Sequence, residues 1–452
     1  MHGADTFAEI KPPLAADEAL SEANRCLFCY DAPCTRACPT HIDVPAFIKK
    51  LATGNPVGSA RTILEANILG ASCARVCPTE VLCEGACVLN DLHKRPIDIG
   101  RLQRYATDWV LEKNERLFQP GLRKGGRVAV IGAGPAGMGA AAELVRLGYE
   151  VTVFDAAPLP GGLNTVGVAE YKMTMATALK EIAWVKEMGV EVRLGTPVVP
   201  GAASDDEAMV TLGTLESRYD AVFLGLGLGK VRDMGIPGED LPGVRDALDF
   251  IAELKADRAK AAAALGKRVL VIGGGNTAID AVTQSARLGA THVTLVYRRG
   301  LEDMSAYVHE VELAKHDGVH FELQAQPVSV VGDGKVQGLQ IVRVEPSGRS
   351  DAAGRRAYAP VAGSEQILPA DTILKATGQV AHEAFFRAIP GLTVSGGRPV
   401  HDPLTMQTGN PRYFTGGDCA NGGKEVVNAV AEGKHAAHGI DQWLRAGAAA
   451  RP

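Results

Sequence analysis

Hydrophobic side chains in the first quarter of the chain recur at helical spacing. In the stretch IGRLQRYATDWVLEK, Ile99, Leu102, Ala106 and Trp109 return every three or four residues, which is the period of an amphipathic helix. The stretch VPAFIKKLATG, which begins at residue 44, has the same character. A turn-forming stretch, QPGLRKGG, follows at residues 119–126 and is typical of a linker. The pattern therefore predicts a helical domain over residues 1–122.

Beyond residue 126 the pattern changes to strand, glycine turn, helix and strand. The stretch RVAVIGAGPAGMGAAAELVRLGYEVTVFD has this order, and KRVLVIGGGNTAIDAVTQSARLGATHVTLVYRR repeats it from residue 267. Two such units predict an α/β protein with two doubly wound, Rossmann-like domains built on parallel sheets. The strand-like stretches SRYDAVFLGLGLGK and ADTILKATGQ are natural crossing points between them. We therefore predict that one domain, residues 230–378, is inserted in the other, residues 123–229 and 379–452.

The first glycine turn has the spacing of a dinucleotide-binding loop. Gly132, Gly134 and Gly137 directly follow the apolar strand VAVI. The first glycine permits the tight turn, the second lets the backbone approach a pyrophosphate, and the third allows close packing of helix and strand. Asp155 ends the next strand, where a carboxylate can hold ribose hydroxyls. These residues predict a dinucleotide site; a glycine turn that serves packing alone is the alternative.

The second turn is a variant of the same pattern, with Gly273, Gly275 and Ala278. Its following strand, VTLVY, ends in Arg298 and Arg299 and not in a carboxylate. Arginines at this position suit a 2'-phosphate, which favours NADP over NAD. The alternative is a solvated arginine pair beside a strand end.

Composition mainly excludes function classes. The chain has 452 residues, and 47 Lys and Arg against 52 Asp and Glu leave a net charge of −5, without the basic excess of a nucleic-acid-binding protein. No apolar run reaches the ~18 to 20 residues of a membrane span, and the start of the chain lacks a secretory signal pattern. We expect a cytoplasmic protein that binds neither nucleic acid nor membrane.

Eight of the nine cysteines fall into two groups before residue 90. Because cytosolic thiols are kept reduced, clustered cysteines in a large chain indicate metal ligands before disulfides. The spacing Cys26-x2-Cys29-x4-Cys34-x3-Cys38-Pro is close to a ferredoxin run, although eight thiolates could also form two tetrahedral zinc sites. Beside two nucleotide-binding units a redox metal has a function and zinc has none, so iron–sulfur clusters are favoured. Cys419 stands alone and is read as a small buried side chain.

Several motifs together resemble flavin-dependent oxidoreductases of the glutamate synthase small-subunit type, which include the electron-input half of dihydropyrimidine dehydrogenase. The motifs are VIGAGPAGMGAAAEL, GGLNTVGVAEYK, VIGGGNTAIDAV, LGATHVTLVYRRG and YFTGGD. The resemblance implies FAD in the first unit and the nicotinamide nucleotide in the inserted one. It also implies that the helix KEVVNAVAEG directs its N-terminus at the flavin ring. The cofactor-binding residues that it adds are Gly162, Leu163, Gly417 and Asp418 for FAD, and Asn276, Thr277 and Gly378 for the nucleotide.

The N-terminal region, with CLFCYDAPCTRACPT, CARVCPTEVLCEGACVLN and RPIDIGRLQRYATD, looks most like dihydropyrimidine dehydrogenase. That family implies two [4Fe-4S] clusters, one of them with a glutamine ligand, and leaves Cys73 spare. A neutral amide oxygen is a poor iron ligand, so spacing alone favours Cys73 over the glutamine. The implied ligands are Cys26, Cys29, Cys34 and Cys87 for the first cluster, and Cys38, Cys77, Cys83 and Gln103 for the second.

The resemblance implies an electron relay from the nicotinamide through FAD and two clusters to pyrimidine reduction at an FMN in a separate barrel. Hydride transfer between stacked rings needs position and no protein acid or base, so no catalytic side chain is assigned. The motifs leave no room for a barrel of ~250 residues, so an FMN-containing catalytic subunit is the expected partner in a hetero-oligomer. The stretch MSAYVHEVELAKHDGVHFELQAQPV resembles subunits that use NADH, so NAD is preferred and NADP is the alternative.

Two other interpretations stay open. The first is the small subunit of glutamate synthase. Leu102-Gln103, in the helix predicted from IGRLQRYATDWVLEK, is the feature that favours dihydropyrimidine dehydrogenase instead. The second is a flavoprotein whose N-terminal region is a metal-stabilised docking module without a role in electron transfer.

Overall fold

The computed structural model describes residues 6–204, 209–350 and 354–449. Its N-terminal part is helical, as the apolar periodicity predicts, and the helix over residues 99–113 has the bounds of the periodic stretch. Two of these helices begin with a proline in the first turn and with a capping side chain: Asp43 accepts from the Ala46 N–H at 3.1 Å and Asn55 from the Gly58 N–H at 2.8 Å. Such caps satisfy donors that a helix start leaves unpaired. The helices are α1 (Ala16–Ala23), α2 (Pro33–Ala37), α3 (Val44–Ala52), α4 (Pro56–Ala66), α5 (Gly70–Val76) and α6 (Ile99–Lys113).

The first nucleotide-binding unit follows. Its strands read as short apolar runs because both faces of a parallel sheet are covered by helices. The elements in chain order are β1 (Arg127–Ile131), α7 (Pro135–Leu147), β2 (Glu150–Phe154), α8 (Leu163–Val166), α9 (Met175–Lys186), β3 (Glu191–Arg193), β4 (Val198–Val199), β5 (Val210–Thr211), α10 (Leu212–Arg218) and β6 (Ala221–Leu224).

The inserted unit contains a second parallel sheet and four antiparallel strands that the sequence pattern did not single out. The antiparallel strands lie between the last two parallel strands in chain order. The elements are β7 (Val244–Asp246), α11 (Ala247–Ala256), α12 (Arg258–Leu265), β8 (Arg268–Ile272), α13 (Asn276–Arg287), β9 (His292–Tyr297), α14 (Val308–His316), β10 (His320–Leu323), β11 (Ala325–Gly332), β12 (Val336–Ser350), β13 (Arg356–Pro360), β14 (Gln366–Pro369) and β15 (Thr372–Lys375).

The C-terminal part completes the first sheet. With the C-terminal strand β18 (Tyr413–Thr415), the strand order of that sheet is β18-β6-β1-β2-β3. The order of the second sheet is β10-β9-β8-β15-β7. Every neighbouring pair in both sheets is parallel. In the chain, β6 precedes the inserted unit and β18 follows it, yet the two strands pair. The predicted fold class is therefore confirmed: two doubly wound units, one inserted in the other, after a helical region. The last elements are α15 (Glu383–Arg387), β16 (Val394–Ser395), β17 (Arg398–Pro399), β18 (Tyr413–Thr415), α16 (Asp418–Asn421) and α17 (Val426–Ala449).

The chain forms two compact units. Among the described residues, the larger contains 9–165, 172–204, 209–229 and 381–449, so the helical region belongs to it. The smaller contains residues 230–350 and 354–380 together with two short segments, 6–8 and 166–171. Among the described residues, no helix is both long and apolar enough to cross a membrane.

Candidate functional site

The first glycine turn has the geometry that a pyrophosphate needs. Gly132 has φ +103°, which favours glycine, and a Cβ atom there would overlap the Gly225 carbonyl oxygen. A Cβ atom at Gly137 would overlap the Gly132 carbonyl oxygen, so the third glycine lets α7 pack on β1. At Gly134, which caps α7, a Cβ atom would meet nothing closer than the Gly162 Cα at 3.9 Å. The open space therefore lies at the glycine that faces the positive end of the helix, where phosphate binds well.

Asp155 lies directly after β2 and its carboxylate is held by two backbone donors. One oxygen accepts from the Ala133 N–H of the glycine turn at 2.7 Å, and the other from the Ala157 N–H at 2.8 Å. A carboxylate has about four lone-pair sites, so these bonds leave capacity for ribose hydroxyls. Asp155 thus ties the turn to the strand end from which it could contact a nucleotide.

Two further segments lie beside this turn. The Gly161 N–H donates to the Ala133 carbonyl at 2.8 Å. Gly162 has φ +55°, and a Cβ atom built on it would lie 3.1 Å from the Gly134 Cα. Leu163 follows and is about a third exposed. The loop therefore crosses the glycine turn, where the sequence prediction puts the flavin.

The second segment is Gly417-Asp418 at the start of α16. Gly417 has φ +75°, and a Cβ atom on it would come 2.7 Å from the Ala136 Cβ of α7. Burial raises the pKa of the Asp418 carboxyl, against a weak bond from the Lys424 N–H at 3.3 Å. Glu432 of α17, which sequence reasoning missed, accepts from the Gly417 N–H at 2.7 Å and so fixes this turn.

The second glycine turn has the same form in the inserted unit. Gly273 has φ +153°, and a Cβ atom there would overlap the Ala376 carbonyl oxygen, while Ala278 is fully buried. Asn276 opens α13 and accepts from the Tyr307 N–H at 3.0 Å, with Thr277 beside it. Gly378, with φ +85°, follows β15 and has open space where a Cβ would be. All of these residues lie at the carboxyl ends of the strands, where doubly wound sheets bind ligands.

Arg298 and Arg299 differ in solvent exposure. Arg298 is exposed at the end of β9, whereas Arg299 is buried, with 7% of its surface accessible. Burial raises the pKa of the neighbouring Tyr297 hydroxyl, and the charges of Arg299 and Arg298 offset only part of this effect. Of the two, only Arg298 therefore presents its charge to solvent.

The first cysteine group surrounds one cavity in the helical region. Cys87, distant in sequence, joins the three cysteines that begin the ferredoxin-like run, and the remaining wall is apolar. Burial, together with the neighbouring Cys26 and Cys87, raises the pKa of Cys34 to about 11. Thiolate ligands to iron commonly sit in such apolar surroundings, which limit solvent access. The cysteines lining this cavity are Cys26, Cys29, Cys34 and Cys87.

The remaining cysteines form a second group. A hydrogen bond that the Cys77 thiol donates to Cys73, together with burial and the neighbouring Cys83 and Cys38, raises the pKa of Cys77. Burial also raises the pKa of Cys83. Cys38 is the last cysteine of the ferredoxin-like sequence motif, but in the structure it lies near Cys77 and Cys83.

The spacing of the sulfurs bears on the choice of metal. Four thiolates around one zinc ion lie about 3.8 Å apart, because Zn–S bonds are about 2.3 Å long in a tetrahedron. Within residues 6–204, 209–350 and 354–449, no group of three or more His, Cys, Asp or Glu side chains could hold a single metal ion. Neither cysteine group is therefore arranged as a single-ion site among these residues, and soft thiolates are also the ligands of iron–sulfur clusters.

Gln103 lies in α6, with 7% of its surface exposed. Its amide nitrogen donates to the Gly70 carbonyl, at the start of the helix that carries Cys73, at 2.7 Å. That bond leaves the amide oxygen as the end available to a metal. Cys73 is buried and near Cys77, so both candidates for the last ligand lie at the α5–α6 contact.

Two buried arginines flank this second group, and sequence reasoning missed them. Arg75, between Cys73 and Cys77, pairs with Asp108 at 2.7 Å and Glu9 at 3.2 Å, and Arg104, next to Gln103, pairs with the same two carboxylates. Because all four charges are matched, the network can be buried without a lone charge. It holds α5, α6 and the N-terminal segment together.

Two protein-family models match the chain. The model described as dihydropyrimidine dehydrogenase domain II, 4Fe-4S cluster matches residues 3–115, and the pyridine nucleotide-disulphide oxidoreductase model matches residues 126–433. The first covers both cysteine groups and the second covers both glycine turns.

Among known proteins, the glutamate synthase [NADPH] small chain of Escherichia coli is 40% identical, over 97% of this chain and 94% of its own. The NAD-dependent dihydropyrimidine dehydrogenase subunit PreT of Escherichia coli is 35% identical, over 96% and 97%. Mycobacterium tuberculosis FprA in complex with NADPH has a TM-score of 0.57 at 21% identity, over 72% of this chain and 86% of its own, which shows the fold alone. This chain therefore belongs to the pyridine nucleotide-disulphide oxidoreductase family, as a member that carries an N-terminal 4Fe-4S domain and is related to both the glutamate synthase small chain and PreT.

Proposed function

We propose that this chain is the electron-input subunit of a dihydropyrimidine dehydrogenase. It takes electrons from NADH, with NADPH as the alternative donor, and passes them to an FMN-containing catalytic subunit that reduces uracil or thymine to the 5,6-dihydro form. When bound, FAD would accept a hydride and two [4Fe-4S] clusters would carry single electrons. The chain's own residues bind and orient, because hydride transfer between stacked rings needs no protein acid or base.

The proposed roles follow the three sites. The flavin-binding residues are Gly132, Gly134, Gly137, Asp155, Gly162, Leu163, Gly417 and Asp418. The nucleotide-binding residues are Gly273, Gly275, Asn276, Thr277, Ala278, Arg298, Arg299 and Gly378. The cluster ligands are Cys26, Cys29, Cys34 and Cys87 in one set and Cys38, Cys77, Cys83 and Gln103 in the other.

Gln103 is the observation that carries this proposal over its main alternative. A buried glutamine whose nitrogen is held by the Gly70 carbonyl at 2.7 Å has its oxygen fixed in direction. That is the arrangement expected of an amide ligand, because a neutral oxygen binds iron weakly unless it is pre-positioned. The match of residues 3–115 to the dihydropyrimidine dehydrogenase iron–sulfur domain supports the same choice.

The small subunit of glutamate synthase is the second candidate. The higher identity, 40% against 35%, favours it, and the exposed Arg298 favours its nucleotide, NADPH. In that function the flavin and iron–sulfur parts would act in the same way, but the electrons would reach a different partner.

The test is reconstitution with each partner. Purified protein that contains FAD and iron is first mixed anaerobically with NADH or NADPH; flavin bleaching is followed by stopped flow and the frozen product by EPR. It is then combined with an FMN-containing dihydropyrimidine dehydrogenase catalytic subunit and uracil, or with a glutamate synthase large subunit, glutamine and 2-oxoglutarate. Dihydrouracil formation supports the proposal. Glutamate formation without dihydrouracil overturns it, and bleaching without any reduced-cluster signal favours a structural role for the metal.

A further inference from the structure

A buried carboxylate caps the helix that carries Cys73 and Cys77. Glu181 of α9 is 1% exposed, and its carboxylate accepts from the Ala71 N–H at 2.7 Å and the Ser72 N–H at 3.1 Å. It also accepts a short hydrogen bond from the Ser72 hydroxyl. The residue before α5, Leu69, offers no capping side chain, so Glu181 supplies the acceptor for N–H groups that this helix start leaves unpaired.

This bond determines the direction of a second one. The Ser72 hydroxyl has one proton, which is committed to Glu181. Its oxygen can therefore only accept from Asn164, whose amide nitrogen lies 2.9 Å away. The Asn164 side chain is thus held in one orientation, with its nitrogen toward Ser72.

The consequence is a bare acceptor. Asn164 is 1% exposed, and its Oδ1 has no hydrogen-bond partner among the residues that the structure describes. A buried polar atom without a hydrogen-bond partner destabilises the folded protein. Rotating the Asn164 amide by 180° would leave its nitrogen unpaired in place of its oxygen. The rotation would also break the hydrogen bond to Ser72.

Asn164 directly follows the loop that crosses the first glycine turn. Gly161 of that loop is bonded to the Ala133 carbonyl at 2.8 Å, and the Thr165 hydroxyl donates to the Pro160 carbonyl at 2.8 Å. The backbone on both sides of Asn164 is therefore fixed against the dinucleotide site. The unpaired Oδ1 of Asn164 therefore lies beside the loop that crosses the first glycine turn.

We propose that Asn164 is a positioning residue of the flavin site, whose Oδ1 accepts a hydrogen bond from an N–H of the bound flavin ring. Ser72 and Glu181 hold it in that orientation and connect the flavin loop to the cysteine-bearing helix. The ring has one N–H, at N3, in every redox state and another, at N5, in the reduced state. The role is independent of which partner subunit takes the electrons, so failure of the proposed function would leave it standing.

The test uses the holoprotein at pH 8, three single variants, and the double variant that combines Asn164→Leu with Ser72→Ala. Asn164→Leu removes the acceptor and keeps the volume, Ser72→Ala removes the partner that orients it, and Asn67→Leu is the matched control. Asn67 is fully buried and accepts from the Leu69 N–H at 3.1 Å just before α5, but it is not on the flavin loop. The readouts are the flavin midpoint potential, the rate of FAD release on dilution, and the melting temperature.

We expect Asn164→Leu to change flavin binding by about tenfold, the effect of one buried hydrogen bond. A bond to N3–H would appear as about tenfold faster FAD release with an unchanged potential. A bond to N5–H would selectively weaken the reduced form and lower the two-electron potential by about 30 mV. Ser72→Ala should act in the same direction, and the double variant should be non-additive because the two residues form one unit.

Two results would overturn the proposal. One is an Asn164→Leu protein whose FAD release and potential equal those of the unmodified protein. The other is a flavin effect no larger than that of Asn67→Leu at a similar loss of melting temperature, which would mean that Asn164 serves packing alone.

Discussion

The backbone of Gly433 in α17 lies directly against the carbonyl oxygen of Ala136 in α7. A Cβ atom at Gly433 would overlap that oxygen, and on the facing helix a Cβ atom at Gly139 would lie 3.1 Å from the Val430 carbonyl oxygen. Helix α7 begins at the first glycine turn and α17 follows Gly417-Asp418. The two helices therefore set the separation of two segments that we propose to bind FAD.

Gly433→Ala should push these helices apart. Overpacking of a tight contact costs about 1–3 kcal/mol, so we expect a lower melting temperature and a smaller FAD-to-protein ratio after purification. Gly447→Ala is the control, because Gly447 lies in the same helix and has open space around it. That change should stabilise the helix by about 0.5–1 kcal/mol. Equal behaviour of the two variants would mean that the close contact does not matter.

The last ligand of the second cysteine group can be identified by iron content. If Gln103 is the ligand, Gln103→Leu should reduce the iron from about eight atoms per chain, as two [4Fe-4S] clusters require, to about four. Cys73→Ser should leave the iron unchanged. Iron and sulfide analysis with EPR of the reduced protein measures both.

Cys419→Ser controls for loss of a buried thiol, because Cys419 is buried far from both groups in sequence and is bonded to the Leu224 and Gly416 carbonyls. Loss of iron in Cys73→Ser, with full iron in Gln103→Leu, would assign Cys73 as the ligand and remove the observation that carries the proposed function.

Arg298→Ala should affect the two nicotinamide nucleotides unequally. Because Arg298 is the exposed member of the pair, it can contact a 2'-phosphate, which NADH lacks. We expect the KM for NADPH in flavin reduction to rise about tenfold, the loss of one charged hydrogen bond, and the KM for NADH to stay within about twofold. Steady-state kinetics with an artificial electron acceptor measures this. Equal increases for both nucleotides would place Arg298 away from the 2' position.

Stability should depend on pH through Glu181. Burial raises the pKa of Glu181 to about 7, against the hydrogen bonds from Ser72 and Ala71. Between the ordinary pKa near 4.5 and 7, the folded protein keeps a proton that the unfolded chain has lost. The free energy of unfolding should therefore fall as pH rises through this window, by about 3 kcal/mol in total.

Glu181→Gln is neutral at every pH and should lose this slope. Melting temperatures of the holoprotein from pH 5.5 to 8 measure it. Glu187→Gln, at the C-terminal end of the same helix and bonded to Arg116 at 3.3 Å, is the control and should keep the slope. A Glu181→Gln protein with the slope of the unmodified chain would assign the pH dependence to other groups.

The sequence by itself determined what depends on local spacing. The helix over residues 99–113, both strand–turn–helix units and the insertion of one in the other follow from apolar periodicity and glycine positions, because those are properties of consecutive residues. The same holds for the eight clustered cysteines as metal-ligand candidates. The antiparallel strands β11–β14 escaped notice because glycines and charged residues interrupt β12, and because β13 and β14 are only five and four residues long.

Tertiary structure alone decided which side chains meet. It buried Arg299 while leaving Arg298 exposed, and it put Glu181 at the start of α5. A carboxylate on the apolar face of MATALKEIAWVK was the only local sign of that last contact. Ser72 and Asn164 are 92 residues apart, and no periodic pattern encodes a pair so distant. Such contacts arise only when packed elements bury polar groups that must then find partners in one another.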